Sequence, residues 1–576
     1  MKRLLVSSII ALTSLLVVAN LFAQTGRYER KSISYLNALL LTNGSISLTN
    51  DELSHLLETT QTQLSLDRFD YNPLPDTLTA TFVRRTRQES NLQLEKIQDL
   101  LVESIIPLID TLLQQHLDQR AAALVSPEER ASWAASKAKS LGVTSVQLEK
   151  VLNSAYLYFP VLTGIDHFVH GDQVIVEIHG TVLWYRVELS TGKAALRLIS
   201  GLDKIQTSRG FGRKDKRLQY QGEMLKGEEY AFYAAADNFA RNMEVAMRDL
   251  PDFKLAGVVR EAGGEKISFD LGSKEGVHLD DRYFITEMVE DENGLREETV
   301  GLARVSHVGY SGSSERDEEA QDASKTTRRS TSYSEARRII GGGFGEGMRV
   351  VEYPRLPLDI GIGLHSFQLT FGQTDPNYNH LINSPSEQQV NGVGLKLAAL
   401  YNTARWSGIP QFFILLEGGY GIVDFDGTDF MGDAIPVATY QTISLGVVKR
   451  YYYRRISIPL KAEFGLQAIE AKGWWSAIHS TDDEELFRIR NSAIGLTIGT
   501  GVEWILTPSA SLQLAVDYRL YSRSRHWDLV VNNDVAIPFT GPWIKASGLN
   551  IGLGVIYSPP RLDFDPMNLV KVALGI

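Results

Sequence analysis

Seven charged residues in the C-terminal part of the chain could do chemistry together: Lys396, Glu417, Lys461, Glu463, Glu503, Asp517 and Arg519. Each sits on the small or polar side of a stretch in which every second residue is apolar. Paired carboxylates such as Glu503 and Asp517 are what general acid–base work needs. Both signs are present in comparable number, so the competing reading is a charge network in a closed interior, where buried ions need partners. On that reading Arg519 is the cation for Asp517 and for Glu503 of a neighbouring strand. No other catalytic or metal-binding motif is complete. "HFVHGD" brings His167 and His170 close, but HExxH and a third ligand are missing. "GGGFGEG" at 341–347 lacks the following Lys-Ser/Thr and helix of a phosphate loop. There is no GxSxG elbow and no cysteine. The chain is therefore expected to be no enzyme and to need no cofactor or metal.

What positions the seven residues is a set of alternating segments. "ASGLNIGLGVIYSP" places Leu549, Ile551, Leu553, Val555 and Tyr557 on one face, with Asn550, Gly552 and Gly554 on the other. Eight such segments are expected, at about 358–371, 391–402, 411–423, 438–449, 455–467, 492–505, 510–521 and 547–558. A soluble sandwich would alternate too. Three features favour a membrane barrel. The segments are near the length that crosses a bilayer at a tilt. Tyr401, Trp406, Tyr451–Tyr453, Trp504 and Tyr557 gather near their ends. Connections alternate long and short, as extracellular loops and periplasmic turns do. The apolar face then meets lipid, where only a closed barrel pairs every backbone group, and the small and charged face fills the lumen.

This region resembles the OmpA/OmpX-like barrels of Gram-negative outer membranes over about 200 residues, and the resemblance implies an eight-stranded antiparallel transmembrane barrel. It departs in three ways. A tail of about 19 residues follows Tyr557, soluble material precedes the barrel, and the first strand slips parity between Leu364 and Phe367. The expected extracellular loops carry Trp474, Trp475, Trp527 and Trp543, which exposure would make candidates for ligand or surface contact.

The preceding residues read as exported material. Lys2 and Arg3 ahead of an apolar run to Phe22 make a signal peptide, 1–23, with cleavage near Ala23. Residues 24–155 are expected to be helical, with a capped start at "TNDE" and another at "SPEE". Residues 156–251 change to period two, with a parity slip at His179-Gly180 that suggests a bulge, and then a helix: an α+β domain. Residues 252–353 carry short turn-separated strands, "EGV…DDRYFI", "GLARV" and "GEGMRVVE", with a polar stretch at 311–338 too poor in aliphatics to order itself. These motifs resemble the small SH3-like barrel at the C-terminus of the FlgT flagellar assembly protein, which implies an interaction module. A net charge of −11 argues against nucleic acid as a partner.

The expectation is a multidomain chain: an α-helical and α+β periplasmic region, a small SH3-like β domain, and a barrel with its tail over 354–576. Its partners would be outer-membrane lipid and a periplasmic or envelope protein. Scaffold or assembly partner is the leading role, and a transport or secretion pore the alternative.

Overall fold

The structure is a computed structural model that describes residues 31–42, 46–66, 68–74, 76–86, 93–104, 156–190, 193–291, 294–309, 333–373, 382–384, 386–424, 429–430, 433–434, 437–475, 485–531 and 536–562. The expected signal peptide, the "SPEE" helix and most of the tail lie outside these residues. By its contacts the chain divides into two compact units: Met1–Leu255 with Lys274–Gly276 and Leu562–Ile576, and Ala256–Ser273 with Val277–Arg561.

The first unit is built on a mixed sheet. Its strands are β1 (Lys31–Tyr35), β2 (Leu40–Leu41), β3 (Phe69–Pro73), β4 (Tyr156–His170), β5 (Gln173–Ser190), β6 (Lys193–Ser200) and β7 (Gln206–Arg213). The order is β3-β1-β4-β5-β6, with β2 on β4 and β7 on β5. β1 runs parallel to both β3 and β4. Alternate residues of β4 therefore point to opposite faces. Tyr156, Tyr158 and Leu162 join Leu56, Phe239 and Met243 beneath helices α1 (Asn50–Leu64) and α4 (Gly227–Asp249). Leu157, Phe159 and Val161 meet Phe82, Ile97 and Leu101 of helices α2 (Asp76–Thr86) and α3 (Leu94–Ser104). A small hairpin, β8 (Arg217–Tyr220) with β9 (Glu223–Lys226), precedes α4.

Local signals explain the helices. The Thr49 hydroxyl accepts from Glu52 N at 3.2 Å while Glu52 Oε2 accepts from Thr49 N at 2.9 Å, a complete capping box. α4 lies so close to β7 that a Cβ at Gly210 would sit 1.9 Å from the Ala231 carbonyl. The wholly helical reading of 24–155 is corrected at its start, because β1, β2 and β3 are strands of the sheet. The bulge expected at His179-Gly180 falls on the partner strand: Leu162 pairs with Gly180 and Gly164 with His179, leaving Thr163 unpaired.

The second unit holds two closed sheets. The smaller comprises β10 (Ala256–Gly263), β11 (Lys266–Phe269), β12 (Arg282–Asp291), β13 (Gly294–His307), β14 (Ser334–Gly341) and β15 (Arg349–Tyr353). It closes in the order β10-β11-β14-β13-β12-β15 around Phe269, Tyr283, Ile285, Val305 and Val350, all buried. Residues 334–338, expected to lie in an unordered loop, form the start of β14, because Glu335, Ala336 and Arg337 pair with β11.

The larger sheet runs through β16 (Leu358–Phe371), β18 (Gln388–Asn402), β19 (Phe412–Asp424), β22 (Val437–Tyr453), β23 (Ile456–Trp475), β24 (Glu485–Ile505), β25 (Ala510–Tyr521) and β28 (Gly548–Tyr557), all neighbours antiparallel. β28 returns to β16, which also pairs with β18, so the ring closes. A further hairpin, β26 (Ser524–Val531) with β27 (Ile537–Lys545), pairs with the N-terminal part of β24 and the C-terminal end of β16. Three two-residue strands, β17 (Ile382–Asn383), β20 (Asp429–Phe430) and β21 (Asp433–Ala434), pair among themselves.

The outward face is apolar over a belt of about five alternate residues per strand. On β28 this runs from Leu549 to Tyr557, all exposed, about 27 Å along the strand at about 3.4 Å per residue. Beyond the belt the two faces exchange character. On β16 the exposed Ile360, Ile362 and Leu364 give way to Ser366, while Phe367, Leu369 and Phe371 turn inward. The parity slip expected there is corrected: β16 stays in register with β18 throughout. What changes is the surroundings, from a polar lumen with an apolar outside to an apolar core of Phe367, Tyr440, Ile469, Ile489, Trp527 and Ile544.

Candidate functional site

The seven charged residues come from five strands of the ring and point into it, but they form two groups. In the middle of the lumen, Lys396 Nζ of β18 stands 3.0 Å from Glu417 Oε1 of β19 and 2.9 Å from Asp517 Oδ2 of β25. Lys461 Nζ of β23 reaches the same Asp517 oxygen at 2.9 Å, Glu463 Oε1 at 2.7 Å and Glu417 Oε2 at 3.4 Å. Two ammonium groups thus tie three carboxylates from three walls. Arg519 donates to the Tyr440 hydroxyl at 2.8 Å instead. The expectation that Arg519 serves Asp517 and Glu503 is corrected: the lysines occupy Asp517, and Glu503 is elsewhere. It lies opposite Gln513, four residues along β25 from Asp517.

Glu503 belongs to a second layer at the short-turn end. Arg450 of β22 places Nε 3.1 Å from Glu503 Oε2 and Nη1 2.5 Å from Asp359 Oδ2. Ser457 Oγ donates to Glu503 at 3.0 Å, and Ser558 Oγ donates to Asp359. The guanidinium lies 4.4 Å from the Phe413 ring centre. Sequence reasoning missed Arg450 and Asp359, although both keep the inward parity of their strands; the expected fourth segment stopped one residue short of Arg450. It also missed His365, which is buried between the layers and the core with neither ring nitrogen hydrogen-bonded.

The small barrel covers the same end. Leu302, Ile339, Phe284 and Tyr353, on the outward face of its strands, pack with Ile505 and Tyr452 of the large barrel. All three short turns are held. Asp280, in the left-handed region at φ 70°, accepts from Asn402 Nδ2 at 2.9 Å and Gln411 N at 2.6 Å beside the first turn. Arg454 in the second turn donates to Glu265 at 2.8 and 2.6 Å. That bond, with a second from Arg338, holds the Glu265 carboxyl below the usual carboxylate range. Arg282 and Arg355 each donate to the Pro508 carbonyl of the third turn at 2.7 Å. Burial, and Arg282 nearby, push Arg355 down to about 9. The buried Arg304 guanidinium lies 3.6 Å from the Tyr452 ring centre, and burial lowers its affinity for its proton.

His167 pairs with Glu228 at 3.3 Å, while His170 is exposed at the tip of the β4–β5 hairpin. Among the described residues no group of three or more His, Cys, Asp and Glu could hold a metal ion. Gly341–Gly347 is a turn with Gly341, Gly343 and Gly347 at positive φ, and a strand follows it. Trp474 and Trp475 lie in β23, in register with Leu486 and Glu485. Trp527 is corrected from exposed loop to core: it is 2% exposed, donates to the Pro542 carbonyl at 2.9 Å and packs near Phe371 and Phe539. β26 and β27 pair with each other and against β24 and β16, which turns that ring inward. Trp543 is half-buried beneath Arg523, 4.5 Å from its ring centre.

No protein-family model matches the chain, and no curated protein matches it. Among solved structures it is similar to Neisserial surface protein A, at 11% identity over 36% of this chain and 99% of that one, with a TM-score of 0.21. It is similar to a major outer membrane protein from Thermus thermophilus, at 14% identity over 34% and 99%, with a TM-score of 0.22. It is also similar to the outer membrane protein OprG from Pseudomonas aeruginosa, at 10% identity over 36% and 98%, with a TM-score of 0.24.

Proposed function

We propose that this chain is a non-enzymatic anchor of the outer membrane. An eight-stranded barrel spans the lipid with a sealed lumen, and carries the small barrel on its periplasmic end. The α/β unit that precedes it in the chain offers the surface for an envelope partner. The observation that carries this is the pair of ion layers linking opposite walls of the lumen. Each of their carboxylates already has a lysine or arginine partner, which opposes acid–base duty and opposes a pore. A conducting pathway would require these buried pairs to separate, at the steep cost of leaving charges uncompensated. The docked small barrel adds a second closure at the same end.

The apolar belt supports the membrane setting, since exposed apolar surface on this scale is otherwise found at interfaces. Density separation of envelope fractions tests it. The chain should track with outer-membrane markers and resist carbonate extraction; recovery in the soluble periplasm would refute the anchor.

A further inference from the structure

The wall of the large barrel changes partners at one place. β24 pairs with β25 as far as Gly495 and Tyr521, and with β26 from Asn491 and Trp527 outward. Residues 522–526 therefore stand against the shorter stretch 492–494, and the surplus chain bows. Its ends are pinned. Ser522 N and Oγ both donate to the Ile494 carbonyl, at 3.0 and 3.1 Å. Asn491 Nδ2, buried, donates to Ser524 Oγ at 3.2 Å and His526 O at 2.8 Å. Beside the bow lies an open hollow of about 590 Å³.

Among the described residues that line this hollow are Arg523, Arg525 and His526, with Ser492 and Trp543. Its floor is Leu466 and Ile494. Both are exposed members of the apolar belt, and both mark its edge: the next outward residue beyond Ile494 is Ser492, then Arg490. The hollow thus places guanidinium groups where hydrocarbon ends and headgroups begin. Arginine's planar fork matches phosphate oxygens, and a tryptophan suits that interface.

We infer that this hollow holds the phosphate of a membrane-lipid headgroup, with acyl chains lying along Leu466 and Ile494. The inference rests on the membrane-spanning reading above. Free phosphate shares the chemistry but would make no use of the apolar floor.

The test uses the full chain folded in detergent, with lipid retention read by native mass spectrometry. The probes are a bis-phosphorylated glycolipid, the same glycolipid dephosphorylated, and inorganic phosphate. The phosphorylated glycolipid should bind saturably. Dephosphorylation, or the double change Arg523→Gln with Arg525→Gln, should weaken it about tenfold or more, as expected for lost charge-assisted bonds. Arg523→Lys with Arg525→Lys should retain an intermediate affinity. Undiminished binding by the Gln variant, equal binding of the dephosphorylated lipid, or inorganic phosphate binding as tightly as the lipid would each overturn the inference. Heat-modifiable gel mobility of both variants reports the folded barrel separately, so a failed membrane barrel is distinguished from a failed site.

Discussion

Arg450 reaches across the lumen to Asp359: its Nη1 lies 2.5 Å from Asp359 Oδ2, although their strands β22 and β16 are separated in the ring by β18 and β19. The same guanidinium holds Glu503 of β24. One side chain thus links three walls just inside the end that the small barrel covers. Arg450→Ala should leave Asp359 and Glu503 buried without a cation and cost about 3–5 kcal/mol. The midpoint of the urea-induced gel-mobility shift between folded and unfolded barrel measures this.

The middle layer predicts an order among cations. Lys461 meets three carboxylates, whereas Arg519 meets the Tyr440 hydroxyl. Lys461→Met should cost about 3–5 kcal/mol as a broken buried ion network. Arg519→Ala should cost about 1–3 kcal/mol, the range for a buried group losing its hydrogen-bond partner. The same gel assay ranks them, and the reverse order would remove Lys461 from the centre of the network.

Much of the large barrel was legible because one face of each strand is written for a single environment. Leu549 to Tyr557 alternate cleanly since lipid lies along that whole side. The signal failed where the environment changed along a strand. Phe367, Leu369 and Phe371 look like a register slip in sequence, but their strand leaves the belt and their side chains enter an inner core. Pro538 and Pro542 disguised β27, whose burial comes from its neighbours and not from its own propensity. In the first unit, five-residue strands such as β1 and β3 are too short to show a period, and parallel pairing alone makes them strands. Of the lumenal residues, parity revealed which way they point; which cation meets which carboxylate depends on stagger between strands, and that cannot be read along one of them.

Lipid-facing positions on β25 give an independent check of the belt. Leu514 is 48% exposed and pairs with Val502 and Leu553, also outward. Leu514→Arg should destabilise the bilayer-folded barrel by about 2–4 kcal/mol, the cost of arginine near the bilayer midplane, while Leu514→Val should change little. Denaturant titration in lipid vesicles reads both, and a silent arginine would place that face away from lipid.

The small barrel also makes a prediction about where the chain can be cut. Its face of Phe284, Leu302, Ile339 and Tyr353 packs on the large barrel, so it belongs with that barrel and not with the first unit. A fragment of residues 24–255 should stay monodisperse on size exclusion, whereas 24–353 should self-associate through the uncovered face. Monodisperse 24–353 would mean that this contact does not need covering.

Everything proposed for the large barrel turns on a sealed lumen, and conductance across a planar lipid bilayer probes that seal without intermediaries. The full chain, inserted and shown by gel shift to be folded, should produce no stable open steps at moderate voltage. Steady, reproducible unitary steps from the purified folded chain would contradict the seal, because ions could then pass where Lys396, Lys461 and Arg450 hold the walls together.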